Sequence, residues 1–324
     1  MQWVRSAGSG RWGGIAIGTI VALALAPAAF GQAAKKKTAA PAAAPPTTTV
    51  ERIRSTGTLK LGYRTDARPF SFKDASGNPT GYSIDLCQGL QESVKSELNI
   101  PSLKVEWVPV QVDERLSAIQ EHQVDVLCGA MSITLGRRKQ VDFSVPIFPG
   151  GVGVVVRKDA NRQLRNILAG QAKEYTPTWR AVALNIVREQ VFATLPGTTA
   201  EQWLKQRGEE LAIQVAVKPV ASYEEGIKAV LDRKVNAFFG ERAILLDAVR
   251  SNASGGDLTV IDRQFTFEPL ALPMARGDDD FRLLVDRTLS QFYRSEGFPK
   301  TYTKWFGQPD STAKNFFRWN ALPD

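Results

Sequence analysis

The sequence predicts an α/β protein whose strands lie in mainly parallel sheets. Short apolar runs alternate with segments of helical periodicity through most of residues 58–250. This alternation is typical of βαβ units, in which right-handed crossovers join parallel strands. With 324 residues and 43% hydrophobic content, the chain is long and apolar enough for about two domains.

Apolar, β-branched runs predict the strands, and a period of 3.6 residues predicts the helices. The predicted strands lie at 58–63, 103–109, 124–128, 152–157, 190–195, 213–217 and 235–239. The predicted helices lie at 83–96, 113–121, 178–188, 199–207, 222–232, 241–250 and 279–295. Ligands bind at the carboxyl ends of the strands in such sheets. Polar residues suited to binding follow the strands at 58–63, 124–128, 190–195 and 235–239.

The first 33 residues have the pattern of a signal peptide. Arg5 and Arg11 give a positive start, and the apolar run at 15–26 is too short to span a bilayer. Small residues at 29–33 suit cleavage, so we expect an exported protein, with an uncleaved membrane anchor as the alternative. Residues 34–50 are mostly Ala, Pro, Lys and Thr, a composition that predicts a disordered linker.

The net charge of +8 falls to +6 when Arg5 and Arg11 are removed with the signal peptide. Nucleic acid is not an expected partner, because the basic residues are scattered among acidic ones and form no cluster with aromatic residues. Attraction to acidic solutes fits this charge better. The single histidine, His122, cannot build a histidine-rich metal site or supply a convincing catalytic triad. With no phosphate-loop or dinucleotide motif, we expect neither metal nor cofactor.

Cys87 and Cys128 are the two cysteines of the chain. An even count in an exported protein favours a disulfide. Cys87 lies near the start of a predicted helix and Cys128 ends a predicted strand, positions that can be neighbours in a parallel α/β domain. Two buried free thiols are the alternative.

A turn rich in small residues follows the strand at 124–128. It reads Ala130-Met131-Ser132-Ile133-Thr134-Leu135-Gly136-Arg137 and is followed by Val141-Asp142-Phe143-Ser144. An arginine fork grips a carboxylate through two hydrogen bonds, and hydroxyls and carbonyls accept an ammonium. The turn therefore suits a compact zwitterion.

Together with five further segments in the same order, this turn resembles the bacterial solute-binding proteins (family 3) that deliver polar amino acids to ABC transporters. The other segments are Leu59-Lys60-Leu61-Gly62 with Pro69-Phe70-Ser71-Phe72, Gly81-Tyr82-Ser83-Ile84-Asp85-Leu86, Gly197-Thr198-Thr199, Val235-Asn236-Ala237-Phe238-Phe239-Gly240-Glu241, and Lys304-Trp305-Phe306. The resemblance covers about residues 51–307 and is strongest to the subgroup that binds glutamate and aspartate.

The resemblance implies two lobes joined by two hinge crossings, near 148–153 and 268–273. Lobe 1 would comprise 51–150 with 272–324, and lobe 2 would comprise 151–271. The ligand would lie between the lobes, and closure would trap it. The stretch 160–188 departs from the family pattern, since Tyr175-Thr176-Pro177-Thr178-Trp179-Arg180 opens a longer helix to which we assign no function.

Arg137 and the turn at Thr198 and Thr199 are implied to hold the α-carboxylate of the ligand from opposite lobes. Thr198 itself has the pattern of a helix N-cap, with Glu201 completing a capping box. A helix N-terminus presents free amides and positive dipole to a carboxylate. An ordinary capped helix is the alternative reading of Thr198.

The family also implies acceptors for the ligand's ammonium and donors for its side chain. Glu241 would take the ammonium where relatives usually carry Asp, together with Ser132 and the carbonyl of Ala130. Arg64 and Arg115 match the arginines that hold a side-chain carboxylate. Two departures concern the same end of the site: Ala130 and Met131 stand where the subgroup often has hydroxyl residues, and Tyr223 stands where it has a histidine.

These features predict the periplasmic substrate-binding component of an amino acid ABC transporter, without enzymatic activity, that binds glutamate or aspartate. Its partners would be the amino acid and an inner-membrane permease, and the protein itself would be a monomer. Two alternatives stay open. One is a periplasmic prephenate or arogenate dehydratase on the same fold, with Glu241 as a general acid. The other is a sensory receptor that presents the ligand to a membrane protein.

Overall fold

The structure is a computed structural model that describes residues 48–171 and 186–323. The predicted signal peptide, the linker up to residue 47 and the Tyr175–Arg180 segment lie outside the described residues. Thr49 and Val50, which the composition assigns to the disordered linker, form the first turn of a helix. That helix begins at a capping box, in which Thr48 and Glu51 each accept the other's backbone N–H.

The described elements follow the chain in this order. The strands are β1 Thr58–Tyr63, β2 Asp66–Ala67, β3 Ser71–Lys73, β4 Pro79–Thr80, β5 Lys104–Pro109, β6 Val126–Cys128, β7 Met131–Ser132, β8 Asp142–Phe143, β9 Phe148–Gly150, β10 Val152–Arg157, β11 Val191–Thr194, β12 Ala216–Pro219, β13 Ala237–Glu241, β14 Leu258–Val260, β15 Glu268–Ala271 and β16 Pro273–Met274. The helices are α1 Thr49–Thr56, α2 Tyr82–Glu97, α3 Arg115–Gln120, α4 Arg162–Ala169, α5 Thr199–Glu210, α6 Tyr223–Leu231, α7 Arg242–Ser251, α8 Asp279–Arg294, α9 Gly297–Phe306 and α10 Ser311–Asn320.

Each lobe is built around a five-stranded sheet. The order is β5-β1-β6-β16-β8 in the first lobe and β12-β11-β13-β10-β14 in the second. In the first sheet β1 is parallel to β5 and β6, and in the second β11 is parallel to β12 and β13. These parallel pairs place the carboxyl ends of their strands at one edge of each sheet, as predicted.

One strand in each sheet runs against the others, so the sheets are mainly parallel, as predicted, and not entirely so. β16 is antiparallel to β6 and β8, and β10 is antiparallel to β13 and β14. Both strands enter their sheet directly from a preceding strand and not from a crossover helix. The alternation of strands and helices therefore gives no signal for their direction.

A three-stranded sheet carries the chain between the lobes. β15 pairs antiparallel with β9 and with β7. The chain leaves the first lobe through β9 and returns through β15, so the two crossings lie side by side. The lobe boundaries given above stay predictions. A second small sheet, β2-β3-β4, extends the first lobe beside the end of β1.

Cys87 on α2 and Cys128 at the end of β6 form a disulfide, with an S–S distance of 2.08 Å. Both are fully buried among the core side chains of the first lobe. The bridge ties α2 to the strand whose next residues, Gly129 and Ala130, reach the cleft. Within 48–171 and 186–323, no helix is long and apolar enough to cross a membrane.

Candidate functional site

A cavity between the two lobes brings all the predicted ligand-binding residues together. Its lining includes Arg64, Arg115, Ala130, Ser132, Arg137, Thr198, Thr199, Tyr223 and Glu241. Apolar side chains complete the wall, among them Leu127, Met131 and Leu270. Residues from four strand ends and from both lobes thus share one enclosed space, which is the arrangement that the strand pattern predicts.

Arg64 follows β1 and is buried, with 6% of its surface exposed. The hydroxyl of Ser71 accepts the backbone N–H of Arg64 at 2.9 Å and donates to its carbonyl at 3.2 Å, which fixes the backbone. Its guanidinium forms an ion pair with Asp66. Arg64 therefore enters the cavity with a carboxylate already beside it.

Arg115 and Arg137 lie on the first lobe and both reach the second. Nη2 of Arg137 donates to the carbonyl of Gly197 at 3.2 Å, and Nη2 of Arg115 lies 3.5 Å from the same oxygen. Within their own lobe, Arg137 donates to the Ser132 carbonyl at 2.8 Å and Arg115 donates to the Val112 carbonyl at 2.6 Å. Two guanidiniums that share one carbonyl across the cleft show that the lobes are closed.

Burial makes the positive charge of two of these three arginines, Arg115 and Arg137, less favourable. Burial, together with the neighbouring charges of Arg64 and Arg137, lowers the pKa of Arg115 to about 9. Burial also lowers the pKa of Arg137, against the opposite influence of Glu268. A cation whose pKa falls for these reasons is stabilised by any anion that enters the cavity.

Thr198 caps α5, as predicted, but the capping box differs from the prediction. Its hydroxyl lies 3.4 Å from the Glu201 backbone N–H and donates to the Leu195 carbonyl at 2.7 Å. Glu201 accepts the amide of Gly197, one residue before the cap, at 2.7 Å. The amides of Thr199 and Ala200 in the first helical turn have no intrahelical acceptor, because of where they lie in the helix. Both residues line the cavity.

Glu241 is the N-cap of α7 and also touches the crossing between the lobes. One carboxylate oxygen accepts from the Ala243 amide at 3.3 Å, and the other accepts from the Gly151 amide at 3.0 Å. Burial, together with the negative charge of Glu268, raises its pKa to about 8. Without a cation beside it, this carboxyl is largely protonated at neutral pH.

Tyr223 lies at the start of α6 and lines the cavity beside Glu241. Its phenolic oxygen accepts the backbone N–H of Glu241 at 3.1 Å, which leaves the phenolic proton to donate elsewhere. Burial holds its pKa above the ordinary value. Tyr223 is therefore a neutral donor at the place where the subgroup has a titratable histidine.

The sequence reasoning missed Asp66 and Glu268. Asp66 lies two residues after Arg64, across a bend at Thr65, and this closeness in sequence is a signal that was available. Glu268 lies on β15, far from the other residues in sequence, and no motif identifies it. Its Oε2 atom is buried and has no hydrogen-bond partner among the described residues.

Within residues 48–171 and 186–323, no group of three His, Cys, Asp or Glu side chains is placed to hold a metal ion.

Comparison with known proteins agrees with this geometry. The model of the bacterial extracellular solute-binding proteins, family 3, matches residues 59–308. An L-glutamate/L-aspartate-binding protein of Pseudomonas aeruginosa is 32% identical over 262 residues, which is 81% of this chain and 80% of that protein. A glutamate/aspartate import solute-binding protein of Escherichia coli is 26% identical over 261 residues, with the same coverage.

Among solved structures, an ancestral amino acid-binding protein described as a precursor of cyclohexadienyl dehydratase has a TM-score of 0.64 and 26% identity. The similarity covers 80% of this chain and 99% of that one. The fold, the closed cleft and the family match over most of the chain lead to one conclusion: this protein belongs to the bacterial extracellular solute-binding proteins of family 3.

Proposed function

We propose that this protein is the periplasmic substrate-binding component of an ABC transporter and that it binds an acidic amino acid, glutamate or aspartate, in the cleft between its lobes. The names of the relatives from Pseudomonas aeruginosa and Escherichia coli support the ligand class. The N-terminal signal-peptide pattern supports export, after which the monomer would deliver its ligand to an inner-membrane permease.

The observation that carries the proposal is the convergence of Arg64, Arg115 and Arg137 on one closed cavity. A zwitterion with a neutral side chain brings one carboxylate to these groups, whereas glutamate and aspartate bring two. Because a buried charge is stable only when it is paired, the second carboxylate has a clear role here. Lysine or arginine as ligand would add a fourth cation to the cavity.

The roles we assign follow the position of each group. Arg137, with the N-cap Thr198 and the first-turn residue Thr199 of α5, would hold the α-carboxylate. Glu241, Ser132 and the carbonyl of Ala130 would take the ammonium. Arg64, Arg115 and the phenolic proton of Tyr223 would face the side-chain carboxylate, which gives each charged end of the ligand its own partners.

Titration calorimetry on protein freed of ligand by unfolding and refolding tests the proposal. We expect glutamate or aspartate to bind and lysine and arginine to give no heat of binding. Arg138→Ala is the matched control for cleft arginine variants, because Arg138 is exposed and directly follows Arg137. If no acidic amino acid binds to the unmodified protein, the ligand class is refuted.

Dehydratase activity is the second candidate, and the pKa of Glu241 is the observation that favours it. A carboxyl that titrates near pH 8 holds a proton that a general acid could donate. However, both of its oxygens already accept backbone amides, one from Gly151 and one from Ala243. Incubation with prephenate separates the candidates, since a dehydratase forms phenylpyruvate and a binding protein does not.

A further inference from the structure

Arg64 and Asp66 form an ion pair at the edge of the proposed ligand site. The pair joins the guanidinium of Arg64, which lines the cavity, to the Asp66 carboxylate. The Asp66 side chain is 30% exposed and the Arg64 side chain 8% exposed, so the pair lies between the cavity and its rim. Arg64 is one of the two arginines predicted to bind a side-chain carboxylate, and it is thus already paired with a carboxylate before any ligand binds.

The backbone holds both partners of this pair in place. Asp66 lies in β2 and pairs with Phe72 of β3, while the backbone of Arg64 is held by the buried hydroxyl of Ser71. The carbonyl of Thr65, which lies between them in a bend, accepts the backbone N–H of Lys73 at 3.3 Å, so the backbone is held at all three residues. The pair is therefore a built feature of the first lobe and not a chance contact of two long side chains.

The charge of Asp66 acts beyond Arg64. Burial lowers the pKa of Arg115 and raises that of Tyr223; the Asp66 charge opposes the first effect and adds to the second, and both residues line the cavity. Arg64, Arg115 and Asp66 together contribute a net charge of +1 to this end of the site. One carboxylate balances that charge, and a primary amide leaves it unbalanced, so the difference between the two ligands depends directly on whether Asp66 is charged.

We propose that Asp66 is a specificity-determining residue that reduces the preference for acidic over amide side chains, so that glutamine and asparagine are weaker ligands of the same cleft. This inference rests on the function proposed above. The Asp66 carboxylate repels the side-chain carboxylate of glutamate or aspartate. It does not repel an amide, and its oxygens can accept from the amide NH₂ of the ligand while the amide oxygen accepts from Arg64.

A purely structural role makes the opposite prediction. If Asp66 only orients Arg64, the loss of Asp66 leaves Arg64 misplaced. The affinity for glutamate should then fall more than the affinity for glutamine, or both should fall by the same factor. If the charge of Asp66 sets the preference between the two ligands, Asp66→Asn has another effect. It keeps a hydrogen-bonding oxygen beside Arg64 but removes the repulsion, so the affinity for glutamate should rise relative to that for glutamine. The ratio of the dissociation constants for glutamate and glutamine distinguishes the structural role from the electrostatic one, because a general loss of stability does not change this ratio.

The test is calorimetry of unmodified protein, Asp66→Asn and Asp66→Ser with glutamate and glutamine, at low and physiological salt. Asp257→Asn is the control, because it removes the same charge from an exposed position at the end of a short 3₁₀ helix before β14. We expect unmodified protein to bind glutamine measurably, and we expect Asp66→Asn to raise the preference for glutamate roughly tenfold, less so at higher salt.

An unchanged or lowered glutamate preference in both Asp66 variants overturns the inference while the proposed function stands. Undetectable glutamine binding by unmodified protein that binds glutamate also overturns it, and this measurement does not depend on any variant folding. If unmodified protein binds no α-amino acid, the proposed function itself fails and the inference fails with it.

Discussion

Arg68 and Asp247 join the two lobes at the rim of the cleft, with Nε of Arg68 2.7 Å from Oδ2 of Asp247. Arg68 follows β2 in the first lobe, and Asp247 lies on α7 in the second. Only 3% of the Asp247 side chain is exposed, and it keeps a second partner in Arg250. The pair exists only when the lobes are together, so it stabilises the closed state without touching the cavity.

Arg68→Ala should therefore lower the affinity for every ligand by the same factor. We expect a loss of roughly three- to tenfold, since a half-exposed ion pair contributes on the order of 1 kcal/mol. Stopped-flow kinetics should show the change mainly in the dissociation rate. Arg54→Ala, at an exposed position on α1, is the control. A selective loss for acidic ligands would contradict a role limited to closure.

Arg137→Ala should abolish binding of all α-amino acids, because its guanidinium addresses the α-carboxylate that they share. A charge-assisted hydrogen bond contributes about 1.5–3 kcal/mol, so loss of a bidentate pair should exceed a hundredfold in affinity. Calorimetry beside Arg138→Ala measures the effect. Near-normal affinity in the Arg137 variant would remove this residue from the proposed site.

Arg115→Ala should weaken glutamate and aspartate far more than glutamine, by on the order of 2–4 kcal/mol, because it leaves the side-chain carboxylate underpaired in a closed cleft. Arg64→Ala should show the same selectivity with a smaller loss, since Asp66 already takes part of the charge of Arg64. Dissociation constants for the three ligands give the ratios. Equal losses for acidic and neutral ligands would refute the specificity assignment for both residues.

Ligand binding should release a proton from Glu241. Its pKa of about 8 in the ligand-free protein means that it is protonated at neutral pH, and pairing with the ligand's ammonium favours the ionised form. The apparent affinity should therefore rise with pH up to about 8 and level off above it. Calorimetry in buffers of different ionisation enthalpy counts the protons. Glu241→Gln should remove the pH dependence, and a proton count near zero below pH 8 in the unmodified protein would contradict the assignment.

Reduction of the Cys87–Cys128 bridge should destabilise the first lobe. Closing a loop between residues 41 apart stabilises the folded state by roughly 2–4 kcal/mol. Thiol titration of denatured, unreduced protein should find none free, and the double variant Cys87→Ala/Cys128→Ala should unfold at lower denaturant concentration. Two titratable thiols would show that the bridge does not form in solution.

The strands and helices inside βαβ units were predictable because hydrophobic periodicity decides them locally. The predicted helix at 83–96 is α2, at Tyr82–Glu97, and the predicted strands at 58–63 and 152–157 match β1 and β10 in extent. The antiparallel direction of β10 was not predictable, because it depends on the crossing from the other lobe and not on any local pattern.

The site likewise has residues that a sequence pattern identifies and residues that only the packing of distant segments brings into place. Arg137 lies beyond the end of β6 and Glu241 ends β13, and topology alone brings such positions to the carboxyl edge of their own sheets. The roles that we propose for them come from the family pattern. Asp66 was not predicted because the family pattern assigns no role to its position. Glu268 was not predicted because only the packing of β15 beside the cleft brings it near the site. Charge partners that lie outside a motif need coordinates to be found.

The carboxylate of Glu241 serves two parts of the molecule at once, because it lines the cavity and also holds the amide of Gly151 between β9 and β10. A Cβ atom at position 151 would overlap the Thr266 carbonyl oxygen, so the backbone there has no freedom to follow a changed acceptor. Redesign of the ammonium end would therefore disturb the crossing between the lobes. At the opposite end, Arg115 also donates across the cleft, to the Gly197 carbonyl. Among the described residues Arg64 and Asp66 make their hydrogen bonds within the first lobe, which leaves these two as the positions where a new ligand preference can arise without removing a bond between the lobes.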